Sequence, residues 1–320
     1  MTKFRKIINI IGCIFIFIFS FIAILVLYAV FIEPNILIIK NYNLYIPNWN
    51  TEHNGIKAAV ISDFHAGGLA TDEKQLRRIV KKTNEQNADF IFLLGDIDSI
   101  RIRKAGINPK EVSEIFSQFS AKYGVYAILG NHDYNKPSIK KILKDANINL
   151  LEDSVSIQSI NSKPLKIYGL RDFWYYDYNK NLIDKNDKSG SIIVLSHNPD
   201  TFPFIPKNTS VTLSGHTHGG QIYLPFLGGI FCSSMYAQRF IKGYVVENNK
   251  HIFITSGVGN SAPARFGNIP EIVILHLYSQ KDFPDKKILN TKKRTGITNI
   301  YLLPMYFDFM RKVFKKDVQY

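Results

Sequence analysis

A chain of 320 residues, 46% of them hydrophobic, is long enough for one large core or two small ones and too apolar to be disordered. Its two cysteines, Cys13 and Cys232, lie far apart and argue against a disulfide scaffold or a thiolate metal site. A net charge of +14 calls for an anionic partner, and with no helix-turn-helix, zinc-finger or RNA-binding signature present, nucleic acid is not the expected one.

Residues 1–6 form a basic N-terminus with Lys3, Arg5 and Lys6. Residues 7–32 follow as an apolar run without a charge, longer than the roughly 20 residues that span a bilayer and longer than a signal-peptide core. This run predicts a retained, single-pass membrane anchor. The positive-inside rule puts residues 1–6 in the cytosol and the bulk of the chain outside, although Lys40, Lys57 and a strongly basic domain weigh against that orientation. Residues 33–56 read as a connector with Pro34 and Pro47, and alternation over 35–46 predicts an edge strand.

The main domain is expected over 57–278. Strands are predicted at 57–62, 89–94 and 125–129, alternating with helices at 72–87, 109–123 and 137–146. A strand-rich stretch covers 150–170, and further strands fall at 191–195, 210–213, 222–224, 243–247, 251–255 and 271–277. Alternating β and α first, then mostly β, predicts two packed sheets flanked by helices. Residues 279–320 read as a Lys-rich linker and an amphipathic helix over 297–314, suited either to an anionic membrane surface or to docking on the domain. The aromatic run Phe173 to Tyr178 is either packing or a grip on acyl chains or a base.

Chemistry is concentrated at strand ends. The strand before Ser214 runs into SGHTHGGQI, which presents His216 and His218 before two glycines. Four other predicted strands end in SDFH (Asp63, His65), GD (Asp96), GNHD (Asn131, His132, Asp133) and SH (His197). Ligands gather at the carboxyl ends of strands in parallel α/β sheets. Oxygen and nitrogen donors without thiolate suit borderline divalent ions such as Mn²⁺, Fe²⁺ or Zn²⁺.

The set DFH, GDI, GNHD, SH and GHTH resembles the calcineurin-like metallophosphoesterases, over about residues 57–277. The strings SGHTHGGQI and SGVGNSAPARFGNIPEI resemble their bacterial membrane-associated branch. The resemblance implies a four-layer αββα sandwich of two mixed sheets, here preceded by one transmembrane helix, and a centre of two divalent metal ions. Asp96 is implied as the bridging carboxylate, with Asp63, His65 and His218 completing one site and Asn131, His197 and His216 the other. The pair would clamp a phosphoryl group and hold a hydroxide in line with it. His132 resembles the family's proton donor or charge stabiliser, with Asp133 orienting its ring. Arg239 and Arg265 lie in segments that resemble the substrate side, where arginine suits phosphate. Asp98, in Gly95-Asp96-Ile97-Asp98-Ser99, departs from the branch pattern and reads as a partner of the ligands or a loop cap.

The implied activity is hydrolysis of a phosphodiester or pyrophosphate by a membrane-anchored enzyme, with membrane lipids and a lipid-linked phosphorylated substrate as partners. UDP-2,3-diacylglucosamine of lipid A synthesis is the favoured substrate. It is handled at the cytosolic face, in conflict with the charge rule. The alternatives are an outward-facing phosphodiesterase acting on cell-envelope phosphates and a non-catalytic metal-binding scaffold.

Overall fold

The strands owe their packing to a period of two. In β2 (Ile56–Ile61), Ala58 and Val60 face one core while Ala59 and Ile61 face another. In β3 (Phe90–Leu93), Phe90 and Phe92 join the first set, Ile91 and Leu93 the second. Such alternation, apolar on both faces, fits a sheet buried on both sides. The computed structural model describes residues 3–68, 70–98, 108–134, 136–175, 179 and 181–286. The basic loop at 101–104, part of the aromatic run and the C-terminal helix expected at 297–314 lie outside them.

Two six-stranded sheets result. The first orders β1 (Ile38–Ile46), β14 (Glu271–Ser279), β2, β3, β4 (Val125–Ala127) and β5 (Asn149–Leu150). The second orders β12 (Gly243–Glu247), β13 (Lys250–Ile254), β9 (Val211–Ser214), β8 (Ser191–Leu195), β7 (Lys163–Gly169) and β6 (Ser154–Ile160). β2, β3 and β4 are mutually parallel, as are β7, β8 and β9. The sheets meet in a dry core that draws Phe90, Phe92 and Leu275 from one and Leu165, Ile193 and Leu213 from the other. β1 is the expected edge strand, parallel to β14, so the stretch read as a connector enters the sheet from Ile38 onward.

Helices α2 (Glu73–Asn84), α3 (Pro109–Phe116) and α4 (Pro137–Asp145) all cover the outer face of the first sheet through Leu76, Ile79, Ile115, Phe116, Ile139 and Leu143. Asp72 caps α2 by accepting from the Gln75 amide, and Asn108 with Glu111 forms a capping box on α3. α3 stops well before Tyr123 because the Asn84 side chain turns the chain, donating to the Gln118 carbonyl and accepting from the Ser120 amide. The outer face of the second sheet is covered by 3₁₀ turns at Pro199–Phe204 and Ala237–Phe240 and by the loop bearing Phe173 and Ile183.

The N-terminal helix α1 (Lys3–Leu27) passes through a π-turn at Tyr28–Ile32. The rod Phe4–Asn35 is long and apolar enough to cross a membrane, and none of its most apolar stretch is buried by protein. Among the described residues, its last turns are the part that touches the domain. The Arg265 amide donates to the Ala29 carbonyl (2.9 Å), the Tyr28 ring meets Phe266 edge-on, and buried Glu33 accepts from the amides of Gly267 (3.0 Å) and Asn268 (2.6 Å).

Candidate dinuclear metal centre

Five parallel strands deliver the donors from their carboxyl ends: β2 gives Asp63 and His65, β3 Asp96, β4 Asn131, β8 His197, and β9 His216 and His218. Asp63, His65, Asp96, His216 and His218 all have positive φ, between 44° and 69°. Non-glycine residues rarely adopt that conformation, and its concentration at five donors marks backbone held under strain by its surroundings. Glycine lets the strand ends approach. A Cβ on Gly95 would lie 2.2 Å from the Gly130 nitrogen, and one on Gly130 would lie 2.2 Å from Asp96 Oδ1, so Asp96 and Asn131 meet only because both positions are bare.

The donors form two groups that share Asp96: Asp63, His65, Asp96 and His218 in one, Asp96, His197 and His216 in the other. In the first, His65 Nε2 lies 3.1 Å from His218 Nε2 and 3.7 Å from Asp96 Oδ2, and His218 Nε2 lies 3.4 Å from Asp63 Oδ1. In the second, His197 Nε2 lies 3.3 Å from Asp96 Oδ2 and 3.2 Å from Asn131 Oδ1. A cation with bonds near 2.0–2.2 Å spaces its ligands about 3–3.5 Å apart, which all of these separations match except the 3.7 Å between His65 and Asp96. All seven donor residues are buried.

The outer nitrogens of two ligands are pinned. His197 Nδ1 donates to the Leu94 carbonyl at 2.7 Å and His216 Nε2 to the Ser233 carbonyl at 2.9 Å. Each bond fixes the tautomer that leaves the other nitrogen free for a metal. Burial lowers His65 and His216 to about 3, so both are neutral and ready to coordinate. Burial raises Asp63 to about 6. Burial opposes charge on Asp96 and His197 as well, but their mutual attraction outweighs it, holding Asp96 well below the usual carboxylate range and His197 up at about 10. Such a cluster of buried acids and imidazoles, with His197 giving up its proton on binding, is the donor chemistry of a divalent cation site.

His132 stands at the rim, 25% exposed, with Nε2 4.0 Å from Asp96 Oδ2 and its ring edge-on to His65. Its Nδ1 has no hydrogen-bond partner among the described residues. Asp133 does not orient that ring. Its Oδ1 accepts from the Ile97 and Asp98 amides and its Oδ2 from Gly130, which locks the Asp96 loop against the Asn131 loop. Nor does the structure place the two arginines where the resemblance implies. Arg265 is fully buried behind His218, where its guanidinium donates to Asn260 Oδ1 and to the carbonyls of Asn268, Ser256 and Gly259, with Nη2 3.4 Å from His218 Nδ1. Arg239 pairs with Glu247 and lies over the rings of Tyr236 and Phe240. Asp98 pairs with Lys136 at 2.8 Å rather than with a ligand.

Three contributors escape a sequence reading. Trp174 meets the His216 ring edge-on at 4.6 Å between centroids, so one end of the aromatic run reaches the centre while Phe173 packs in the core. The Ser233 carbonyl is a backbone group and carries no side-chain signal. Asn268 donates its amide to the His218 carbonyl and receives Glu33 on its own backbone nitrogen, tying the end of the apolar helix to a ligand loop.

A model of the calcineurin-like phosphoesterase family matches residues 56–220, which include all seven donors. The uncharacterized metallophosphoesterase YkuE of Bacillus subtilis is 28% identical over 79% of this chain and 89% of its own length. The phosphodiesterase YaeI of Escherichia coli is 27% identical over 60% of this chain and 72% of its own length. The UDP-2,3-diacylglucosamine pyrophosphatase LpxG of Chlamydia trachomatis is 25% identical over 76% of this chain and 90% of its own length. With that match spanning half the chain and both donor groups, the chain belongs to the calcineurin-like phosphoesterase family and is a hydrolase of phosphoric esters or anhydrides that works with divalent cations.

Proposed function

We propose that this chain is a membrane-anchored phosphodiesterase or pyrophosphatase that uses two divalent cations, among Mn²⁺, Fe²⁺ and Zn²⁺, on a lipid-linked phosphate, with UDP-2,3-diacylglucosamine as the favoured substrate. The observation that carries the reading is the pair of donor groups joined through Asp96. The named activity of LpxG supports the choice of substrate, and the uncovered apolar rod supports a lipid setting. When bound, the cations supply charge to the phosphoryl oxygens and a water acidified for attack. Asp63, His65, Asp96 and His218 would hold one cation, and Asp96, Asn131, His197 and His216 the other. His132 Nε2, at the rim on the Asp96 side, is placed to give a proton to the leaving oxygen or to meet its charge. Trp174 packs edge-on against the His216 ring and would help to hold it in place.

A second reading, an outward-facing phosphodiesterase of the cell envelope, is favoured by Lys3, Arg5 and Lys6 before the apolar run. One experiment separates them. The full chain, expressed in cells lacking their own nucleotide-lipid hydrolase, is assayed on UDP-2,3-diacylglucosamine in detergent while intact cells are treated with protease. Hydrolysis with a protected domain supports the lipid A reading. Cleavage of the domain from outside, or no turnover of the nucleotide lipid beside turnover of a simple diester, discards that substrate and leaves the envelope reading.

A further inference from the structure

Directly after His218 and its two glycines the chain makes a short hairpin, β10 (Tyr223–Leu224) and β11 (Gly228–Gly229), whose tip is Pro225-Phe226-Leu227. Phe226 is 100% exposed and nearby Phe231 59%, an arrangement that water disfavours. The tip is built rather than frayed. Phe226 takes φ of 66°, unusual for a bulky residue, and Gln238 holds the returning strand by bonding both the amide and the carbonyl of Gly229.

The hairpin is continuous with the foot of the apolar helix. Tyr223 donates its amide to the Phe266 carbonyl at 2.7 Å, Phe266 packs on the Tyr28 ring, and the preceding Arg265 amide bonds to the Ala29 carbonyl. Tyr28 stands near the end of the apolar rod, where aromatic rings settle at a membrane interface. Lys242 lies over the Tyr223 ring at 4.0 Å, which brings a cation to the same level.

We propose that this hairpin is a lipid-contacting finger: Phe226 and Leu227, with Phe231 at the base, enter the bilayer interface beside the anchor. The occupant of this apolar surface is then lipid, because the surface adjoins the end of a rod long and apolar enough to cross a membrane and uncovered among the described residues. The finger, which begins five residues after His218, holds the His216–His218 loop close to the membrane. This inference rests on the anchor reading above.

The test uses the full chain with Cys13→Ser, reconstituted into vesicles of phosphatidylcholine and phosphatidylglycerol. An environment-sensitive fluorophore is attached at Phe226→Cys or, as a comparison, at Ile157→Cys on β6, the far edge strand of the second sheet. Buried Cys232 is left intact. The Phe226→Cys label is expected to emit to the blue of the Ile157→Cys label and to lose at least half its intensity to shallow spin-labelled lipid. A water-like label quenched by iodide, on protein that floats with the vesicles, overturns the finger and leaves the anchor standing. A shielded label that spin-labelled lipid does not quench means a protein contact and also overturns it. Protein that fails to float removes the anchor and the finger together.

Discussion

Replacing Arg265 with Met separates a structural cation from a substrate-binding one. The side chain is fully buried and its donors reach Asn260 Oδ1 and three backbone carbonyls. Burial pulls its pKa down to about 10, with Asp63, Glu271 and Glu33 opposing, so it stays charged at neutral pH. A hydrogen bond from a charged donor contributes about 1.5–3 kcal/mol, and such bonds do not add fully around one group. Breaking a buried charged cluster from one side costs about 3–5 kcal/mol. For a domain of this size, about 2–4 °C of melting temperature accompanies each kcal/mol, which gives a loss of roughly 6–20 °C. Arg265 also backs His218, so looser packing there should weaken cation binding by about 10–100-fold. Thermal melting in detergent and chelator competition read the two effects. An Arg265→Met protein with unchanged melting and cation affinity but a raised KM would refute the reasoning and return Arg265 to the substrate.

Three further outcomes follow from the geometry. His132→Ala should lower turnover by about 10²–10⁴ while both cations stay bound, and an activated aryl leaving group should shrink the defect; cation loss in the variant would make His132 a ligand. Cation affinity should rise with pH: His197, held near 10, must release its proton on binding, and Asp63, raised to about 6, must release another below that pH. The expected slope is about tenfold per pH unit between roughly 6.5 and 9 and steeper below 6, measured by metal titration; a flat profile denies that these groups titrate on binding. A chain starting at residue 28 should fold better than one starting at residue 36, because the second lacks Glu33 and strands the buried amide of Asn268, at about 1–3 kcal/mol; equal denaturant midpoints would remove that role.

The donors were readable because each sits after a short apolar strand, and strand periodicity survives in a single sequence. Asp96 and His218 need only a strand end and a neighbouring glycine, both visible as residue types. The edge strand β1 showed in its alternation, though not its parallel pairing with β14, which joins distant segments. Arg265 and Asp133 were misplaced for a common reason. Their partners are mostly backbone groups, and a backbone amide or carbonyl has no residue signature. α3 ended early for a similar reason, since the Asn84 side chain that turns the chain belongs to another helix. Glu33 reads as part of a connector because its burial depends on residues 267 and 268 folding back on it.

The central claim is that Asp96 joins two cation sites that act together on a phosphoester. The most direct measurement titrates Mn²⁺ into the metal-stripped full chain in detergent and follows bound metal and hydrolysis of an aryl phosphodiester in the same samples. Two ions per chain are expected, with activity that appears as the second binds and loss of both ions' tight binding in Asp96→Asn. A single bound ion at full activity, or hydrolysis that persists under chelation, would contradict the claim.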